Sequence, residues 1–181
     1  MGKSLKVDIK QLEKFRDDLE QLQENQVQQF LESCAKELAA RLLAKVIKRT
    51  PTGVYDKPVN FITKDGKQVS FTPHTGKSGG TLRRGWTAKT EEEAMNGTGN
   101  GANAATYANS LAIRKVGNEY QVEIINPVHY ASYVEFGHRT PDHKGWVPGV
   151  FMLTISEQEL EADAPRILEN KLQKFLSQFF K

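Results

Sequence analysis

Between residues 8 and 49 the chain has neither glycine nor proline, and its apolar positions recur every three or four residues. Leu12, Phe15, Leu19 and Leu22 form one stripe, and Val27, Leu31, Cys34, Leu38 and Leu42 form a second. That period predicts helix. The five-residue step from Leu22 to Val27 crosses Gln23-Glu24-Asn25-Gln26 and shifts the phase of the stripe. Either one long helix faces two neighbours, or two helices meet near Asn25. Asp8 suits the N-terminal cap, with Gln11 as its capping-box partner. Unbroken, the segment would run about 60 Å at 1.5 Å per residue, longer than the core of a domain this size. Residues 1–25, a very polar helix with a narrow apolar seam, are therefore expected to project as an arm and to bury that seam on another helix.

Thr50-Pro51-Thr52-Gly53 ends the helix, because Pro51 lacks the amide proton and restricts Thr50. Two β-prone runs, 59–63 and 68–72, flank Lys64-Asp65-Gly66-Lys67, a strong hairpin signal. Residues 73–80 read as loop, 81–89 as a strand carrying Leu82 and Trp86, and 90–105, rich in Asn, Gly, Ala and Thr, as a flexible loop least ordered across residues 96–101. Residues 110–116 and 120–125 alternate around Gly117-Asn118-Glu119 as a further hairpin. Residues 129–136 predict a short helix or turn ended by Gly137, followed by loop over 138–149. A final helical stretch covers 151–180, where Pro165 is expected to open a new helix after Asp163. Helix, strands, helix, without βαβ alternation, predicts an α+β fold with an antiparallel sheet, as a single domain over 1–181.

Composition narrows the function. At 38% hydrophobic and 26% charged residues the chain is an ordinary globular sequence, and its net charge of +3 is spread among interleaved acids and bases rather than gathered on one face. One cysteine, Cys34, permits no intrachain disulfide, and a reducing cytosol is the expected site of synthesis. No secretory signal is recognisable, and no apolar run approaches the ~20 residues that span a membrane.

Candidate chemistry is sparse. Cys34 lies in the apolar stripe and reads as a small core residue. His138, Asp142 and His143 share a loop but lack metal-ligand spacing. Gly76-Lys77-Ser78 is not a phosphate loop, since Phe71 stands where the leading glycine is needed. No cofactor, metal or enzymatic activity is expected. Two clusters remain. Arg83, Arg84 and Trp86 suit a protein interface, or alternatively a nucleic-acid site that holds phosphate and stacks bases. Tyr130, Tyr133, Glu135, Phe136, His138 and Arg139 form a dense aromatic and charged run. It suits a contact corner, unless Tyr130, Val134 and Phe136 seat the short helix on the core; Glu135 and Arg139 suit structural or interface pairing.

Certain strings resemble a known family. Arg49-Thr50-Pro51-Thr52-Gly53, Thr75-Gly76 and Gly80-Thr81-Leu82-Arg83-Arg84-Gly85-Trp86 are similar to the RTP…TG…LRxSW signature of phage head–tail joining proteins. Residues 126–139, NPVHYASYVEFGHR, resemble that family's NPxxYAxYVEFGHRT segment, and Val147-Pro148-Gly149-Val150-Phe151-Met152 its VPGxFM string. The chain thus resembles the neck or tail-completion family of long-tailed phages and prophages, the group similar to the minor tail Z proteins, from about residue 38 onward. Two departures stand out: the inserted hairpin of residues 54–74 separates elements that are nearly contiguous in the family, and Gly85 replaces the usual serine. The resemblance implies a non-enzymatic virion protein at the head–tail joint that forms a ring, commonly six-fold. Its implied neighbours are copies of itself and a head connector, tail terminator or tail-tube protein, with DNA threading the lumen without specific binding.

Overall fold

The computed structural model describes residues 24–55, 57–72, 79–98 and 103–178. The cap at Asp8 and Gln11, the Leu12–Leu22 seam, the projecting arm up to residue 23, and Thr75-Gly76 with Gly76-Lys77-Ser78 lie outside the described residues.

The first described helix, α1 (Glu24–Arg49), runs unbroken through Asn25. Thr50 closes it: its amide and its hydroxyl both donate to the Val46 carbonyl, at 2.9 and 2.6 Å. Ala39, Leu43, Val46 and Thr50 are buried at 4-3-4 spacing, with Cys34 buried five residues earlier. This is not quite the stripe the sequence suggests, since Val27 and Leu31 are exposed and Leu38 and Leu42 half-buried. The cause is tertiary. Small Ala39 and branched Val46 face the neighbouring helices, so the buried line falls beside the longest run of leucines.

Hairpin β1 (Val59–Ile62) and β2 (Gln68–Phe71) pair antiparallel as predicted, and Gly66 takes the positive φ of 74° that its turn requires. Hairpin β3 (Ile113–Val116) and β4 (Glu119–Val122) also forms where predicted, about Gly117-Asn118. The fold is α+β as predicted, its antiparallel sheet present as three separate two-stranded hairpins among the described residues. The third, β5 (Gly137–Arg139) with β6 (Trp146–Pro148), occupies a stretch read as loop.

Residues 81–89 are not a strand. Thr81–Gly85 is a short helix, α2. Leu82, Gly85 and Trp86, three and four residues apart, put their buried positions on one side, a helical rather than alternating pattern. The expected flexible loop over 90–105 is also partly wrong. Glu91–Asn96 forms α3 and Ala104–Ser110 forms α4; Gly99 to Ala102 lie outside the described residues. Thr90 Oγ1 accepts the Glu93 amide at 3.2 Å, while the Glu93 carboxylate reaches back to the Lys89 amide at 2.7 Å. Thr90-x-x-Glu93 has the capping-box spacing, with the carboxylate on the amide one residue before the cap. Asn103 caps α4 by accepting the Ala105 amide at 3.0 Å.

After α5 (Ala131–Phe136), one continuous helix, α6 (Met152–Leu176), carries Pro165 inside it. Pro165 therefore does not start a new helix. It sits on the exposed side, and contacts to α1 continue on both sides of it. Lys45 pairs with Glu159 at 3.1 Å and with Asp163 at 3.4 Å before the proline; Lys171 pairs with Glu37 at 2.8 Å beyond it, and Phe30 stacks on Phe175 at 4.4 Å. These contacts hold the two ends of α6 in line despite the backbone bond that Pro165 cannot make. Hydrogen bonds from Lys171 and Arg41 hold the Glu37 carboxyl below the usual range. The core lies where α1, α2, α4, Val128 and the start of α6 converge, around Leu43, Val46, Trp86, Tyr107 and Met152.

Candidate functional site

The quoted strings meet in two junctions. At the first, Thr50 is the hub. The Trp86 indole N–H donates to Thr50 Oγ1 at 2.8 Å, and Arg83 Nη2 donates to the Thr50 carbonyl at 2.8 Å. Arg84 turns inward as well: Nε donates to the Ala94 carbonyl at 2.7 Å and Nη2 to that of Met95 at 3.2 Å, closing the C-terminal end of α3. Its Nη1 donates to the Gly79 carbonyl at 3.2 Å. Asn126 Nδ2 donates to the Leu82 carbonyl at 2.9 Å, and so ties the Asn126-Pro127 segment to α2. The inserted hairpin therefore leaves the Thr50–Trp86 contact intact.

This geometry takes Trp86 out of the surface cluster expected at Arg83, Arg84 and Trp86, while Arg83 stays exposed. Trp86 is 3% exposed, so its faces are closed to a base, and both guanidinium groups donate to backbone carbonyls. The nucleic-acid alternative loses its stacking residue. Gly85 has its own reason. An added Cβ would collide with Asn126 Oδ1 and press on Val128, so the serine usual in the resembled family has no room here. Gly85→Ser is expected to destabilise the fold by about 1–3 kcal/mol through overpacking; a urea midpoint equal to wild type would refute that.

The second junction is built on Glu135, which is 5% exposed. Its carboxylate accepts the Leu153 amide at 2.9 Å, the Thr154 amide at 2.9 Å and the Thr154 hydroxyl at 2.7 Å. These are donors of the first turn of α6, whose own preceding residue, Phe151, is in the left-handed conformation and supplies no side-chain cap. A carboxylate from another helix thus fills the N-terminal role, where negative charge also meets the helix dipole. The backbone closes the same seam: Val150 and Phe151 amides donate to the Val134 and Glu135 carbonyls at 2.8 and 3.0 Å. A Cβ on Gly149 would strike the Glu135 carbonyl, and Gly137 needs its φ of 87°. YVEFG and VPGxFM are two halves of one latch.

Around this latch the side chains face outward. Phe136 is 61% and Trp146 60% exposed, with Tyr133, Val147, Val150 and Phe151 also exposed. Phe136 is thus not the core residue one reading made it, while Tyr130 and Val134 do pack on the core. His138 lies edge-on to Tyr133, ring centroids 6.0 Å apart. Arg139 is exposed and pairs through its backbone with Trp146. Burial raises the pKa of the Tyr130 hydroxyl, with Tyr55 and Glu91 adding to the rise. Asp142 accepts from the Thr140 hydroxyl and the Lys144 amide, bonds that hold its carboxyl low and shape the loop between β5 and β6. Burial raises the Cys34 thiol, keeping it protonated beside the core. Among the described residues no three His, Cys, Asp or Glu side chains gather as metal ligands, and no helix is long and apolar enough to cross a membrane.

An exposed aromatic corner thus sits on an α+β frame. A profile of the HK97-gp10-like family, described as bacteriophage tail components, matches residues 13–137. The chain belongs to this family of phage tail proteins. The matched span holds the Thr50 junction and ends at Gly137, just before His138 and Arg139. No curated protein and no solved structure shows significant similarity to the chain.

Proposed function

We propose that this structural phage protein acts at the head–tail joint of a long-tailed phage or prophage, completing the tail for attachment to the head as a ring of copies of itself. It has no catalytic role in this reading. It is made in the bacterial cytoplasm and ends in the neck of the virion. Six-fold symmetry, contact with a head connector, a tail terminator or the tail tube, and DNA passing through the lumen without specific binding all belong to the reading.

The observation that carries it is the corner formed by Tyr133, Phe136, Trp146 and Phe151, with His138 and Arg139 at its rim. Aromatic residues and arginine are the types that anchor protein interfaces. Glu135 fixes this surface from beneath, so little ordering cost remains on binding. Arg139→Glu in the phage is expected to leave the purified protein folded, with an unchanged melting temperature, while free heads and unjoined tails accumulate in lysates seen by electron microscopy. Normal virions from that variant would sink the corner's role in joining.

A further inference from the structure

Hairpin β1–β2 is amphipathic in a way that its own chain leaves unused. Cross-strand partners share a face, so Val59 with Phe71 and Phe61 with Val69 make one face wholly apolar, while Asn60, Ser70, Gln68 and Ile62 form the other. Yet Phe61 is 47% and Phe71 51% exposed, and no other described element packs extensively on the ribbon. An isolated two-stranded hairpin is marginal in water; an apolar face of this kind is stable when covered.

A matching surface lies on other elements of the chain. Between the first half of α1 and the second half of α6, with Tyr120 of β4 as a third wall, runs an apolar groove of about 360 Å³. Leu31, Cys34, Leu38 and Leu172 line it, and Glu169 is its charged residue. None of the groove's lining residues belongs to the hairpin, so arm and groove are separate patches. Lys64 and Lys67 flank the single acid Asp65 at the arm's tip, a charge that suits Glu169.

We propose that β1–β2 is an assembly arm whose Val59–Phe61–Val69–Phe71 face docks into the α1–α6 groove of a second copy of this chain. Arm and groove are different patches, so the contact is head-to-tail and closes into a ring when the rotation per subunit allows. The inference rests on the ring reading above and assigns the surfaces that make it.

Two exposed substitutions test it in the full chain: Phe61→Asp on the arm and Leu172→Asp in the groove. Native mass is expected to show the wild type as a closed oligomer and each variant as a monomer with an unchanged melting temperature. An equimolar mixture of the two variants should then form a dimer and stop there, because one intact arm meets one intact groove. If either variant fails to fold, Phe71→Ser and Leu31→Ser repeat the pair. Variants that assemble like wild type, or a mixture that stays monomeric, overturn the proposal. So does a Leu172→Asp chain that keeps its oligomer but melts early, which would mean that residues 1–23 of the same chain fill the groove. A wild type that is monomeric at every concentration overturns it too. Head–tail joining in the phage, read with Arg139→Glu, stays a separate test of the function itself.

Discussion

Glu135→Ala should cost roughly 2–4 kcal/mol of folding stability, seen as a fall in melting temperature of roughly 5–15 °C for a chain of this size. The carboxylate takes three hydrogen bonds from the first turn of α6, two of them from backbone amides that have no helical partner. Removing it leaves those donors facing a buried methyl group. Glu135→Gln tests the cause. Its amide oxygen, placed at Oε1, can keep both Thr154 donors, but its NH₂ group then confronts the Leu153 amide, so a substantial part of the loss should persist despite the unchanged shape. Thr154→Val removes a single donor and should cost about 1 kcal/mol. A Glu135→Ala variant that melts within 2 °C of wild type, roughly a single kcal/mol on the same scale, would mean the cap contributes little. If the latch also orients the corner, Glu135→Gln should lose head–tail joining at temperatures where it is still folded.

Why this role was hidden in the sequence is physical. Glu135 sits in an aromatic and charged run, and side-chain type alone does not separate a contact residue from a buried cap. Its partners lie 18 and 19 residues on, beyond a hairpin whose strands are three residues each and whose loop contains Pro141 and Gly145. The elements read correctly are those set by local rules. The glycine-free run of 24–49, the Asp65-Gly66 turn and the Gly117-Asn118 turn need no distant partner. The elements misread are those settled by distant contacts or by a short cap. Helix α2 is five residues long and takes its direction from Thr50 and Asn126. Helix α3 rests on the Thr90–Glu93 box inside a stretch whose composition is that of a loop. Pro165 is tolerated because ion pairs to α1 lie on both sides of it.

The same distinction explains Arg83, Arg84 and Trp86, whose residue types suit an interface as well as they suit a core. An arginine next to a tryptophan on the surface would meet partners or phosphates. Here the indole is buried against an acceptor 36 residues earlier in the chain. The strings RTP and LRRGW are therefore spaced by the needs of one hydrogen-bonded joint. The inserted hairpin lengthens the connection between them without disturbing it, because a longer loop adds little closure cost.

That joint makes the second large prediction. Trp86→Ala should destabilise the protein by about 3–5 kcal/mol, since it empties a fully packed indole site between α1 and α2. The polar half of the contact separates by an asymmetry. Thr50→Val leaves the Trp86 N–H buried without an acceptor and should cost about 1–3 kcal/mol. Trp86→Phe removes the donor instead; the Thr50 hydroxyl still donates to the Val46 carbonyl, so the polar loss is smaller, though some packing goes with the narrower ring. The double variant Thr50→Val with Trp86→Phe should then be more stable than the sum of the two single losses, by about 1 kcal/mol, because neither group is left unpaired. Urea titrations of the four proteins at one pH measure this directly. Strict additivity would mean that the indole and the hydroxyl do not act as a pair, and that Trp86 holds α2 to α1 by apolar packing alone.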